Sequence, residues 1–310
     1  MSVFHGHSGL PEAARGAVAA LGNFDGVHRG HAAVIAEAKA LAADLGAPPA
    51  AAVFSPHPRV LFQPNAEPFA LMSEAQRVRA LKAEGVEIVH HIVFDRTLAG
   101  MTPEAFVAEV LAEGLGLKGV VTGADFCFGK DRAGNAAALK TIGSAHGIEA
   151  RVAPAVKAEG ADGKISSSDV RNALRDGDPQ RAAVLLGRPF AIEGAVQSGD
   201  RRGRTIGFPT ANVPLGEYVR PAFGVYATRS RLADGRLVAG VANLGRRPTV
   251  EGTEARLEVH LFDFEADLYG QTLETELVAF LRPERKFDGL DALKAQIAAD
   301  SEAARKLLAV

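Results

Sequence analysis

The chain has 310 residues, of which 47% are hydrophobic and 23% charged, and it carries a formal net charge of −2. At roughly 150 residues per domain this length implies two domains, each large enough to bury a core, and the near-neutral charge excludes a bulk nucleic-acid binder, which needs a basic surplus. No basic start precedes an apolar run and no run reaches the ~18 apolar residues of a membrane span, so a soluble cytoplasmic protein with no membrane partner is expected.

The first half alternates short apolar runs with helical patterns. AVAAL (Ala17 to Leu21) has the pattern of a strand. HAAVIAEAKALAADLG then reads as a helix, with Val34, Ile35, Ala38, Leu41 and Leu45 on one face and Gly46 as its stop. AAAVF is the next strand, and SEAQRVRALKAEG is a helix opening with Ser73 and Gln76 at capping-box spacing. EIVHHIVF is strand-like; TPEAFVAEVLAEG is a helix capped by Thr102, with Pro103 at its first position and Gly114 past its end. GVVTG and IEARVAPAV complete the strands. Such alternation predicts an α/β domain with a mostly parallel sheet covered on both faces.

A short helix, DPQRAAVLLG, is capped by Asp178 and Pro179, and the texture changes near Gly187. AIEGAVQ, GVYATRS, RLVAGVANL, ARLEVHLFDF and TLETELVAFL follow, separated by Gly, Pro and Asp turns, and predict a small antiparallel β-barrel. From Asp288 onward Leu290, Leu293, Ile297, Leu307 and Leu308 recur at helical spacing, so one or two helices are expected to pack on that barrel. The boundary is placed at Leu186, giving domains 1–186 and 187–310.

Several motifs are discarded on context. GLGLKG (Gly114 to Gly119) fits the letters of a dinucleotide fingerprint, yet it follows a helix and precedes a strand, the reverse of what that chemistry needs. FGKDR is no phosphate loop, because Ala124 and Asp131 stand where glycine and a hydroxyl are required. Cys127 is the single cysteine, which excludes an internal disulfide, fits a reducing compartment and reads as a small buried side chain. His5, His7, His90 and His91 give no defensible metal-ligand set with carboxylates.

The stretch LGNFDGVHRGH is different. It places a Gly22-Asn23-Phe24-Asp25 loop after a strand, at the sheet edge where open α/β folds bind ligands. His28 and His31, three apart in the first helical turn, share a face. The backbone N–H groups and dipole of a helix start already suit phosphate, and Gly30 lets a phosphate or adenine approach the backbone. A solvated cap is the plainer reading of an isolated pair; the strand-to-helix setting favours a ligand. In KISSSDVRNAL, the hydroxyls of Ser166, Ser167 and Ser168 open a helix with Arg171 a turn later, a set suited to phosphate oxygens.

Together GNFDGVHRGH and ISSSDVR resemble the HxGH nucleotidyltransferase superfamily, and specifically the N-terminal module of prokaryotic bifunctional riboflavin kinase/FMN adenylyltransferases. FSPHPRVLF and TGADFCFGKDRAGN resemble that family's flavin-side segments, with Ser168 where Thr is usual, Ser55 where Asp is common and Cys127 where Arg is common. The resemblance implies a Rossmann-like domain in which Gly22, Asn23, Phe24, Asp25, Gly30 and Ser166 to Ser168 hold nucleotide. It implies His28 and His31 on the reacting phosphate, Arg171 on the departing pyrophosphate, and His57, Asp125 and Phe126 toward the flavin.

The second half carries GDRRGRTIGFPTANV. Gly199, Gly203 and Gly207 let amides wrap a polyphosphate, Arg204 adds charge, and Thr210 and Asn212 offer hard oxygens of the kind Mg²⁺ accepts. A basic surface hairpin with a proline turn reads equally well from this stretch alone. In ARLEVHLFDF, Leu257, Val259 and Leu261 alternate with Arg256, Glu258 and His260, so Glu258 lies on the polar face. A carboxylate there can orient or deprotonate a hydroxyl, or be an ordinary exposed glutamate. GRTIGFPTAN, GVANLGRRPTV, LEVHLFDF, DLYG and RPERKFDGLDALKAQIAAD resemble, in order, the riboflavin kinase module. That resemblance makes Glu258 the catalytic base, Thr210 and Asn212 the Mg²⁺ ligands, Asn243 a nucleotide contact and Arg285 a flavin contact.

The implied substrates are riboflavin, FMN and ATP, with Mg²⁺, no nucleic-acid partner, and a monomer or weak homo-oligomer. Two rival readings stay open: another HxGH adenylyltransferase, disfavoured by the PTAN segment and the barrel, and a non-catalytic flavin- or nucleotide-binding protein, disfavoured because His28, His31, Ser166 to Ser168, Arg171 and Glu258 occur together.

Overall fold

The computed structural model describes residues 1–157, 163–197, 207–249 and 252–310. They form two compact units: Met1–Ala66 with Glu74–Ile165, and Glu67–Ser73 with Ser166–Val310. Packing therefore divides the chain after Ile165, whereas its composition changes at Leu186.

The first unit is built on β1 (Ser2–His5), β2 (Val18–Gly22), β3 (Pro49–Ser55), β4 (Ile88–Val93), β5 (Gly119–Gly123) and β8 (Glu149–Ala153). They form one parallel sheet in the order β1-β4-β3-β2-β5-β8. The four inner strands β2 to β5 are buried along nearly their whole length without alternation because both faces are covered, whereas the edge strands β1 and β8 are more exposed. Helix α1 (Arg29–Asp44) buries Val34, Ile35, Ala38, Leu41 and Ala42 against one face; the expected Leu45 is only half-buried at its end. The opposite face packs Ala19, Leu21, Ala52, Ile88 and Ile92 against Phe106, Val107, Val110 and Leu111. Those last residues belong to a segment that starts as α5 (Pro103–Ala105), capped by Thr102, and widens into a π-helix over Phe106–Gly114. Helices α2 (Pro58–Phe62), α3 (Glu74–Ala83), α4 (Arg96–Ala99) and α6 (Ala136–Ala145) and a small hairpin of β6 (Cys127–Phe128) and β7 (Gly134–Asn135) complete the unit. Cys127 is half-buried at that hairpin, not fully buried as expected, because a two-residue strand covers one side of it only.

The second unit contains α7 (Ser167–Arg175), α8 (Pro179–Leu186) and the strands β9 (Phe190–Ala195), β10 (Ala211–Pro214), β11 (Gly224–Arg231), β12 (Leu237–Thr249), β13 (Gly252–Leu261) and β14 (Thr272–Pro283). Their antiparallel order is β10-β13-β12-β11-β14-β9. Gln197, just past β9, donates its N–H to the Asn212 carbonyl at 2.9 Å, which brings the two edges together into a nearly closed barrel. The Pro-Thr-Ala-Asn segment is thus the entrance to an edge strand and not a free turn. Helix α9 (Leu290–Leu308) packs Ala304 and Leu308 on Val225, Ala227, Val241 and Ala279. Leu290 and Leu307, expected to face the barrel, are 53% and 57% exposed. A buried carboxylate stands on that helix face instead: Asp300 accepts bonds from Arg282 at 2.7 to 3.1 Å and from Gln296 at 2.6 Å.

Candidate active sites

In the first unit, β2 is central, β3 and β4 lie to one side of it and β5 to the other. The loop after β2 therefore opens at the point where strand order reverses, the ligand crevice of parallel sheets. This loop is strained. Phe24 and Val27 have φ of 51° and 39°, beside Gly26 at 91°, and a β-branched residue in that region is a true outlier, costing ~1–3 kcal/mol. Burial holds it there, since Phe24 and Val27 are 1% and 2% exposed and Asp25 is 7% exposed.

His28 is the N-cap of α1: its Nδ1 accepts the His31 N–H at 3.2 Å. An Nδ1 that accepts carries no proton, so the neutral ring is protonated at Nε2. The two imidazoles stack at 3.7 Å and 15°, and His31 packs on Phe24 at 5.0 Å. Gly30 is required by close approach, since a Cβ there would sit 3.0 Å from both His28 Cε1 and the Ile165 carbonyl. Sequence reasoning missed Arg77, a buried cation on α3 whose Nη1 donates to the Asn23 carbonyl at 3.3 Å and whose pKa burial lowers. Its only signal was an arginine on the inner face of a helix.

The flavin-side candidates have structural partners. His57 caps α2, with Nδ1 accepting the Arg59 N–H at 3.1 Å. Asp125 is ion-paired with Lys164, and that bond holds its carboxyl below the usual range. Phe126 stacks on Phe128 at 5.8 Å.

In the second unit, Ser166 is the N-cap of α7 and closes a capping box: its Oγ accepts the Asp169 N–H at 3.3 Å, and its own N–H donates to Asp169 Oδ2 at 3.0 Å. Ser167 and Ser168 then begin the helix. Arg171 is 9% exposed, donates from Nε to the Phe69 carbonyl at 2.7 Å and lies 5.4 Å from the Phe69 ring centroid.

The barrel places Glu258 between two amides. Asn212 of β10 faces it on one side, and Asn243 of β12 on the other, so all three share a sheet face. Arg247 donates to Glu258 Oε1 from Nε at 2.6 Å and approaches it with Nη2 at 2.5 Å. The described bonds of Glu258 thus fall on Oε1. Asn243 Nδ2 donates to Glu284 Oε1 at 3.2 Å. Asn212 is 4% exposed, and its Oδ1 has no partner among the described residues. A buried, unsatisfied carbonyl oxygen is costly unless a ligand uses it, and an oxygen donor of this kind suits a hard cation. Arg285 lies 4.9 Å over Phe287 and bonds Gln296. Gly207 is exposed with φ 88°; Gly199, Gly203 and Arg204 lie outside the described residues.

A parallel-sheet unit with a histidine-bearing loop at its switch point, followed by an antiparallel barrel with a carboxylate set between two amides, defines a two-module nucleotide-handling protein. Residues 10–169 match the FAD synthetase family, and residues 186–308 match the riboflavin kinase family. The chain is 42% identical to the bifunctional riboflavin kinase/FMN adenylyltransferase of Pseudomonas fluorescens over 310 residues, covering 100% of this chain and 98% of the relative. It is 38% identical to the Bacillus subtilis protein of the same name over 307 residues, covering 97% and 96%. A solved structure described as a macrolide-efflux protein from Streptococcus pneumoniae superposes with a TM-score of 0.86 at 34% identity, covering 98% of both chains. The chain belongs to the bifunctional riboflavin kinase/FMN adenylyltransferase family.

Proposed function

We propose that this chain phosphorylates riboflavin to FMN with ATP and then adenylylates FMN to FAD, releasing pyrophosphate. The observation that carries this reading is the order of two family matches on one chain, FAD synthetase over 10–169 and riboflavin kinase over 186–308. We assign the first activity to residues 187–310 and the second to residues 1–186.

For phosphorylation, Glu258 takes or orients the proton of the riboflavin 5′-hydroxyl through Oε2, while Arg247 fixes the carboxylate through Oε1. Thr210 and Asn212 are the residues that would hold Mg²⁺, whose chemistry is to neutralise charge on the ATP phosphates; the partnerless Asn212 Oδ1 supports this. The Gly199–Gly207 loop and Asn243 bind the nucleotide, and Arg285 contacts the flavin.

For adenylyl transfer, the FMN phosphate attacks the ATP α-phosphorus and the bond to pyrophosphate breaks. The nucleophile is already an anion, so positioning and charge stabilisation suffice. His28, protonated at Nε2, donates to the reacting phosphate with His31 stacked behind it. Ser167, Ser168 and Arg171 serve the pyrophosphate. Ser166 serves as the cap that presents the α7 amides.

The experiment is product chromatography from riboflavin, ATP and Mg²⁺. Glu258→Ala should abolish FMN formation but leave FAD formation from supplied FMN; His28→Ala with His31→Ala should do the reverse. Loss of both activities from either change in a folded protein refutes the assignment.

A further inference from the structure

We propose that His5, Glu74 and His91 bind one divalent transition-metal ion of the zinc class. The site lies in the first unit, and its three ligands are none of the residues assigned to nucleotide or flavin. Glu74 nonetheless touches Ser55 of the flavin-side segment and Arg77, which bonds Asn23. It corrects the sequence reading that these histidines form no ligand set. One ligand atom of each residue lies within 4.8 Å of the other two. Chain spacing concealed this because pairing creates it: β1 runs parallel to β4 with His5 opposite His91, their rings 4.8 Å apart, and α3 begins at Glu74.

Independent features point to an ion there. His91 is 1% exposed, and neither ring nitrogen has a hydrogen-bond partner among the described residues. Its Nδ1 lies 3.3 Å from Glu74 Oε1, close enough for a shared ion. Beyond that approach to Glu74 the buried ring makes no hydrogen bond among the described residues, a costly arrangement unless a ligand uses a ring lone pair. The carboxylate is already oriented for the task. Glu74 Oε2 accepts the Ser55 hydroxyl at 3.1 Å and lies 3.9 Å from Arg77 Nη2, while Oε1 is the atom turned to His91. Such outer partners fix the ligands of metal sites. His5 and Glu74 are exposed, so an ion can enter from solvent. Two imidazoles and one carboxylate select zinc-class ions over Mg²⁺ or Ca²⁺, which prefer oxygen alone, and leave a fourth position to water. The ion joins the edge strand β1 to β4 and α3.

The test is equilibrium dialysis of the tag-free full chain against Zn²⁺ and Co²⁺ in excess Mg²⁺, with thermal unfolding read in parallel. The wild type should take up one equivalent and unfold at a higher temperature with Zn²⁺. His5→Ala and Glu74→Gln, at exposed positions that leave the core intact, should weaken uptake at least about tenfold and abolish the thermal shift. His7→Ala should change neither. Absence of uptake by the wild type, or equal uptake by the His5 and Glu74 variants, overturns the proposal.

Discussion

His90 supplies a direct test of how the first unit is held together. It lies in β4 at 0% exposure, packs against Phe4 at 6.1 Å, and neither ring nitrogen has a partner among the described residues. Burial lowers its pKa from 6.5 to about 4. Between those values the unfolded chain binds the proton and the folded one does not, so stability rises with pH. The contribution is complete above pH 6.5 and is lost as pH falls toward 4. A difference of about 2.5 pH units at ~1.36 kcal/mol each gives ~3 kcal/mol in all, of which ~2 kcal/mol is gone at pH 5. His90→Leu keeps an apolar side chain in the site and removes the titration. Urea unfolding followed by far-UV circular dichroism should therefore show the wild type losing ~2 kcal/mol more than the variant between pH 7 and pH 5. The chain has no tryptophan and three tyrosines. Tyr218, Tyr226 and Tyr269 all lie in the second unit, so tyrosine fluorescence follows the barrel and should respond to pH alike in both proteins. Parallel circular-dichroism curves for the two proteins would refute the reasoning.

Arg247→Met removes both contacts to Glu258 Oε1 and should cost about 2 kcal/mol, or ~30-fold, in kcat for riboflavin phosphorylation. Steady-state kinetics should find the KM for riboflavin little changed and adenylyl transfer intact; an unchanged kcat would refute the anchoring role. Gly30→Ala pushes a methyl into His28 and the Ile165 carbonyl. It should lower FAD formation from supplied FMN by about 100-fold while sparing phosphorylation, since small misplacements of catalytic groups cost that much. Asp300→Ala strips the carboxylate from Arg282 and Gln296 under α9. It should destabilise the barrel by about 3 kcal/mol, read by tyrosine fluorescence in urea, because Arg282 is left without its partner.

The sequence by itself determined what depends on local chemistry. Strand-helix alternation fixed the parallel sheet, the Leu257, Val259, Leu261 alternation fixed which face of β13 is polar, and Asp178 and Thr102 mark helix starts where their side chains cap backbone N–H groups. The strand-to-helix setting likewise placed His28 and His31 at a helix start, although His28 turned out to be its cap. What only the tertiary structure decided involves partners distant in the chain. Asn212, Glu258 and Asn243 form one row because β10, β13 and β12 pair in that register. Arg77 reaches Asn23 across a sheet-to-helix packing, and Asp300 turns an apolar-looking helix inward by a charge while Leu290 and Leu307 face solvent. His5, Glu74 and His91 meet only because an edge strand aligns beside β4. Periodicity reports which side of an element is apolar; it carries no information about which residue of another element stands opposite, since register is fixed by long-range pairing and packing.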